Sequence, residues 1–419
     1  MTTATPFPLL QQVFSLSMWS NTAAKTKDST PSALGGILYT NFTDKQSTYS
    51  AYVPDWSIVW GPAVFTAGDS GNSLVSEAGI LMPKNSTGMA DNAILVAHNA
   101  TSNTYVVAIA ATNPQSVYDW LNEDFQTDSA VPFNPVGAPL DPSVTYGNIS
   151  AGTKLGITIL QNLMPQAAPK DGPTIPEIGV TLQSYLASVA STDATLIFTG
   201  HSLGGALSPT LAFSLYPSKT AQAVWERVLV LPTAGATPGD GTFATAFNTV
   251  FPTYVDPNST TLPNTFNNDL WNSYDVVPHA WDHLQGNSFP TYVAPPPDAL
   301  KLIKPCIYGH LILGAAETIP ALVNTAVNHA AKAGVTYTPI QNIELPGATV
   351  NTDIATVIGF VTTLIEQHVG AYFDLIGVSA IHDDQTSFWQ EVIVLVINDL
   401  FPGLLPNPVN PPTDANATA

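Results

Sequence analysis

The chain has 419 residues, 45% hydrophobic and only 10% charged, with 31 Asp and Glu against 11 Lys and Arg for a formal net charge of −20. That much apolar side chain supports a large folded core and excludes a disordered chain, while the single-sign field repels polyanions, so a nucleic-acid partner is excluded and neutral ligands are favoured. The lone Cys306 rules out an intramolecular disulfide framework, and no uncharged apolar run is long enough to span a bilayer.

The first residues, MTTATPFPLLQQVFSLSMWS, lack a positively charged leading region, so no secretory signal is visible and the compartment stays open. From about residue 34 to 110, GGILYTNF, STYSAYV, SIVWGPAVF, AILVAHNA and TYVVAIAAT read as short strands separated by Gly, Asn, Asp and Ser, the antiparallel opening of a sheet. NPQSVYDWLNEDF follows, with Val117, Trp120 and Leu121 at helical spacing and Asp119, Glu123 and Asp124 opposite them, an amphipathic helix over 113–125.

A helical stretch from Pro176, the apolar strand TLIFTG, the helix HSLGGALSPTLAFSLYP and the strand RVLVLPTAG come next. Helix, buried strand, helix, buried strand predicts an α/β fold with a mostly parallel central sheet and helices on both faces. Two stretches rich in Pro, Thr, Asn and Gly, about 235–270 and 284–351, read as insertions at the rim of the sheet. One domain over 1–401 and a frayed, proline-dense tail over 402–419 complete the reading.

Gly200-His201-Ser202-Leu203-Gly204 is a G-x-S-x-G pattern between an apolar strand and a helix, the setting of a nucleophile elbow. The turn raises the Ser202 hydroxyl above the sheet in a strained conformation, and side chains at 200 and 204 would strike neighbouring backbone. The N–H of Leu203, at the start of the next helix, is a natural oxyanion donor. A serine hydroxyl is a poor nucleophile at neutral pH, so a base and a group to orient that base must follow. No H-E-x-x-H, Cys/His cluster or phosphate-cradling glycine loop is present, so neither a metal nor a cofactor is expected.

GHSLGGAL, with NSYDVVPHAW downstream, resembles the class 3 lipase family over roughly residues 90 to 378. The resemblance implies an α/β-hydrolase fold, a Ser/Asp/His triad and a helical lid. It assigns the acid to Asp275 in NSYDVVP, with Asp256, Asp269 and Asp282 as competitors. The base it points to is His368, a few residues before a Tyr-Phe pair that stands one position further off than in the fungal enzymes. His310 and His382 are the alternatives. Thr112, at the end of VVAIAAT, takes the place of the second oxyanion donor, although relatives read Arg-Gly-Thr/Ser where this chain has Ala110-Ala111-Thr112. The helix 113–125 falls at the lid, so Val117, Trp120 and Leu121 join His201 as candidate substrate or lid contacts.

The activity implied is hydrolysis of a neutral acyl ester at a lipid–water interface, as a triacylglycerol lipase. The alternatives are a phospholipase A1, a short-chain esterase, or a non-catalytic binding protein on the same fold. The resemblance also leans toward an extracellular location; oligomeric state is left open.

Overall fold

Strands β1 (Trp56–Phe65), β2 (Asn92–Asn99) and β3 (Thr104–Ile109) are consecutive antiparallel partners, joined at β3 to a parallel run of β4 (Thr195–His201), β5 (Arg227–Thr233), β6 (Asp269–Asn272) and β7 (Asn342–Leu345). The computed structural model describes residues 5–23, 26, 29–66, 90–111, 127–275, 277–279, 330–347 and 366–382. Across this seven-stranded sheet the strands lie side by side in chain order. The central β4 is buried at every position, as a strand covered on both faces must be, which explains its unbroken apolar run.

Helices pack on both faces. On one, α3 (Ala151–Asn162), α4 (Leu182–Val189), α5 (Leu203–Leu215) and α6 (Gly241–Val250) bring Ile157, Leu186, Leu207, Phe213, Phe243 and Phe247 into one core with Val107, Leu196 and Phe198 of the sheet. On the other, α1 (Leu9–Trp19), α2 (Pro31–Thr48) and α7 (Ala371–Ile376) bury Phe14, Trp19, Leu38, Tyr372 and Phe373 against Leu95, Val106 and Ile197. Each large side chain so buried contributes on the order of 1.5–3 kcal/mol.

The α/β-hydrolase architecture and the antiparallel start of the sheet agree with the expectation, but two of the expected strands do not exist. GGILYTNF lies inside α2, and STYSAYV spans the end of α2 and the turns that follow it. Thr30 caps α2 by accepting from the Ala33 N–H at 3.2 Å, Pro31 opens the first turn, and Leu34, Leu38 and Phe42 form one buried stripe at helical spacing. The helix expected from Pro176 is confined to α4, begun by its cap Thr181. The stretch 235–270 holds α6, whose N-cap Asp240 accepts from the N–H groups of Thr242 and Phe243 at 3.0 and 2.9 Å, so much of it belongs to the core. The segments 284–329, 348–351 and 402–419 lie outside the described residues.

Candidate active site

Ser202 sits between β4 and α5 with φ 61° and ψ −121°, a strained conformation for a residue with a side chain. The space around it explains the glycines. A Cβ at Gly200 would lie 2.2 Å from the Gly204 carbonyl oxygen, and one at Gly204 would lie 2.5 Å from that of Ile109. Neither contact is tolerable, so strand, turn and helix approach as closely as they do only because both positions lack side chains. The Ser202 N–H donates to the Thr233 carbonyl at 3.0 Å, fixing the turn to β5.

Asp275 follows β6, and His368 lies in a π-helical turn, Glu366–Gly370, that runs into α7. The structure brings both to Ser202. The Ser202 hydroxyl donates to His368 Nε2 at 2.8 Å, and His368 Nδ1 donates to Asp275 Oδ2 at 2.8 Å. A carboxylate only accepts, so the hydrogen of the neutral ring resides on Nδ1 and leaves Nε2 bare toward the serine. Asp275 Oδ2 also accepts from the Tyr372 hydroxyl at 2.8 Å, and Oδ1 accepts from the Val277 N–H at 3.0 Å. Burial, then the charge of Asp275, holds the Tyr372 phenol well above its ordinary pKa, so it remains a donor. Ser202, Asp275 and His368 are all buried.

Residues 106–283 match the family described as Lipase (class 3). This middle part of the chain is similar to the class 3 lipases. The match contains Ser202 and Asp275 and ends before His368. Among solved structures, M37 lipase is similar at 23% identity and a TM-score of 0.66, over 94% of this chain and 98% of that one. The Yarrowia lipolytica Lip2 lipase is 14% identical over 66% of this chain and 78% of its own, with a TM-score of 0.38. The Rhizomucor miehei lipase in complex with its propeptide is 17% identical over 64% and 61%, with a TM-score of 0.34. No curated protein sequence matches the chain. The likeness to M37 lipase is one of fold.

The other expected residues fall differently. Leu203 is the first residue of α5, so its N–H belongs to the free amides of the helix N-terminus beside Ser202. His201, grouped above with substrate contacts, is 1% exposed and packs edge-on against Phe14 and Tyr372, so its ring is buried in the core. His382 stacks on Phe373 at 4.6 Å between ring centroids. Asp256 accepts from the Asn258 N–H within its own loop, and Asp269 accepts from the Gly235 N–H at 3.2 Å. Thr112, Val117, Trp120, Leu121, Asp282 and His310 lie outside the described residues. Among the described residues no helix is long and apolar enough to cross a membrane.

Three contacts were beyond sequence reasoning. Tyr372 holds Asp275, and the Asn272 side chain donates to the Gln367 carbonyl at 2.8 Å. Asn21, just past α1, accepts from the Ala111 N–H at 2.7 Å while its own amide donates to the Ser17 carbonyl at 3.0 Å. The end of β3 is thereby tied to the N-terminal helix. Of the three, only Tyr372 carried a signal, as the first member of the Tyr-Phe pair after His368.

Proposed function

We propose that the protein hydrolyses carboxylic esters through an acyl-enzyme, with Ser202 as nucleophile, His368 as general base and acid, and Asp275 orienting and stabilising the imidazole. The observation that carries this reading is the hydrogen-bonded chain Ser202 Oγ, His368 Nε2, His368 Nδ1, Asp275 Oδ2, with 2.8 Å at both links. His368 Nε2 takes the hydroxyl proton as Oγ attacks the ester carbonyl, and the imidazolium formed faces a carboxylate already in place. We assign the negative charge on the carbonyl oxygen to the Leu203 N–H and, from the sequence resemblance alone, to that of Thr112, each worth roughly 3–4 kcal/mol in the transition state. His368 then returns the proton to the leaving alcohol. Water repeats the sequence to release the acid.

A net charge of −20 favours a neutral acyl ester over an anionic one, and the match of residues 106–283 to the class 3 lipases favours a glyceride at a lipid–water interface. The amphipathic sequence 113–125, with Val117, Trp120 and Leu121 on one side, is the part of the chain assigned to meet that interface.

A fluorophosphonate probe and a p-nitrophenyl ester series from short to long acyl chains test this together. The probe is expected to label wild type and not Ser202→Ala, and the substitution should lower kcat by roughly 10⁴-fold or more. Turnover by Ser202→Ala within about tenfold of wild type would remove the serine from the chemistry.

A further inference from the structure

His201, beside the nucleophile, spends both ring nitrogens on the backbone frame of the site. Nδ1 lies 2.9 Å from Thr233 Oγ1, and Nε2 lies 2.7 Å from the carbonyl oxygen of His368. A carbonyl has no hydrogen to give, so Nε2 is the donor. Burial first, and then the neighbouring His368, keep the ring's pKa well below the ordinary histidine value, so it is neutral and its Nδ1 accepts from the Thr233 hydroxyl.

One residue earlier, the Gln367 carbonyl accepts from Asn272 Nδ2 at 2.8 Å, and the same nitrogen reaches Gln367 Oε1 at 2.9 Å. Two successive carbonyls of the π-helical turn are therefore held by buried side chains from β4 and β6. A π turn is wider than an α turn and occurs as a short interruption of regular helix. Here it spans five residues and runs into a six-residue helix, and the two side-chain contacts to its carbonyls bear on the height and rotation of His368.

We infer that His201 is the positioning residue for the base: its Nε2–H, by holding the His368 carbonyl, sets the turn so that one imidazole reaches both Ser202 Oγ and Asp275 Oδ2. The inference rests on the roles proposed above for Ser202 and His368. Neutrality is part of the task. The two rings are 5.0 Å apart between centroids, and a second cation there would oppose the charge His368 gains when it takes the serine proton. Thr233 completes the arrangement from β5, as its hydroxyl meets His201 and also lies 3.4 Å from the Gly200 carbonyl.

The test compares His201→Phe, His201→Gln and His201→Asn with Ser202→Ala, on a soluble short-chain p-nitrophenyl ester, with kcat and KM read separately and folding followed by thermal unfolding. Phenylalanine fills the volume without a donor; glutamine carries an N–H near the position of Nε2, and the shorter asparagine does not reach it. The expected result is a kcat lower by roughly 10- to 100-fold in His201→Phe with KM within about twofold. His201→Gln should regain at least half of that loss on a logarithmic scale. If His201→Phe does not fold, the comparison of Gln with Asn decides, with Gln expected roughly tenfold higher in kcat. Equal kcat in Gln and Asn, or wild-type kcat in folded His201→Phe, would overturn the inference. Ester turnover surviving in Ser202→Ala would overturn the underlying reading instead.

Discussion

Tyr372 and His368 donate to the same oxygen of Asp275: the phenol and the imidazole Nδ1–H each stand 2.8 Å from Oδ2. Tyr372 also accepts from the Asn272 N–H at 2.9 Å, so one buried hydroxyl ties the acid to the strand that carries it. In Tyr372→Phe the carboxylate loses a donor and the Asn272 amide its acceptor. A hydrogen bond to a charged group is worth about 1.5–3 kcal/mol, so a fall in melting temperature should accompany a roughly threefold to tenfold fall in kcat. Calorimetry and initial rates on one preparation check both; an unchanged kcat would leave Tyr372 a structural role alone.

Asp275→Asn preserves shape and removes charge. An amide nitrogen at the Oδ2 position would force His368 to present a bare Nδ1 to it, placing the ring hydrogen on Nε2, where it confronts the serine. The rate is expected to fall on the order of 10⁴-fold while the fold persists. Stopped assays at high enzyme concentration, with circular dichroism as control, measure it.

Gly204→Ala acts through geometry. The added methyl would stand 2.5 Å from the Ile109 carbonyl oxygen, so α5 and β3 must separate. Overpacking of this kind costs roughly 1–3 kcal/mol. The expected outcome is a lower midpoint of denaturant unfolding together with slower ester turnover, because the start of α5 carries the Leu203 N–H assigned as an oxyanion donor.

Asp269 gives a pH dependence of stability. Burial, with the charge of Asp275 adding to it and the Gly235 N–H opposing, raises its carboxyl from 3.8 to about 8. The folded chain keeps a proton across that interval which the unfolded chain releases, so this contribution is full below pH 3.8 and is lost as pH rises toward 8. Asp269→Asn, which keeps an oxygen acceptor for Gly235, should remove that dependence. At pH 8 to 9 the variant is expected to melt roughly 2–5 °C above wild type, and near pH 4 at the same temperature or below. Parallel melting curves of the two proteins across the range would assign the effect elsewhere.

The legible parts of the site were those whose cause is local. An apolar strand, two glycines around a serine and a helix lie within one short stretch, and they gave Ser202 and Leu203 together. Asp275 and His368 rested on their resemblance to family motifs. The contacts of His201 and Tyr372 join residues 167 and 97 positions apart, and no periodicity or spacing encodes such a meeting. The misread α2 has a different cause: GGILYTNF holds a dense apolar run that suits a strand, and the signal against it, Thr30 and Pro31 ahead of Leu34, Leu38 and Phe42, stands partly outside that run.

Because the described strands of the sheet are laid out in the order of synthesis, each of them finds its neighbour already present, and none of them waits exposed for a later one to be inserted between existing pairs. On the ribosome the sheet can therefore grow from one edge. The groups proposed to react emerge on the same schedule: Ser202 leaves with the fourth of these strands, Asp275 after the sixth, and His368 only after the seventh. On the roles proposed above, a chain still in synthesis holds its nucleophile without its base and is silent toward esters until His368 has emerged.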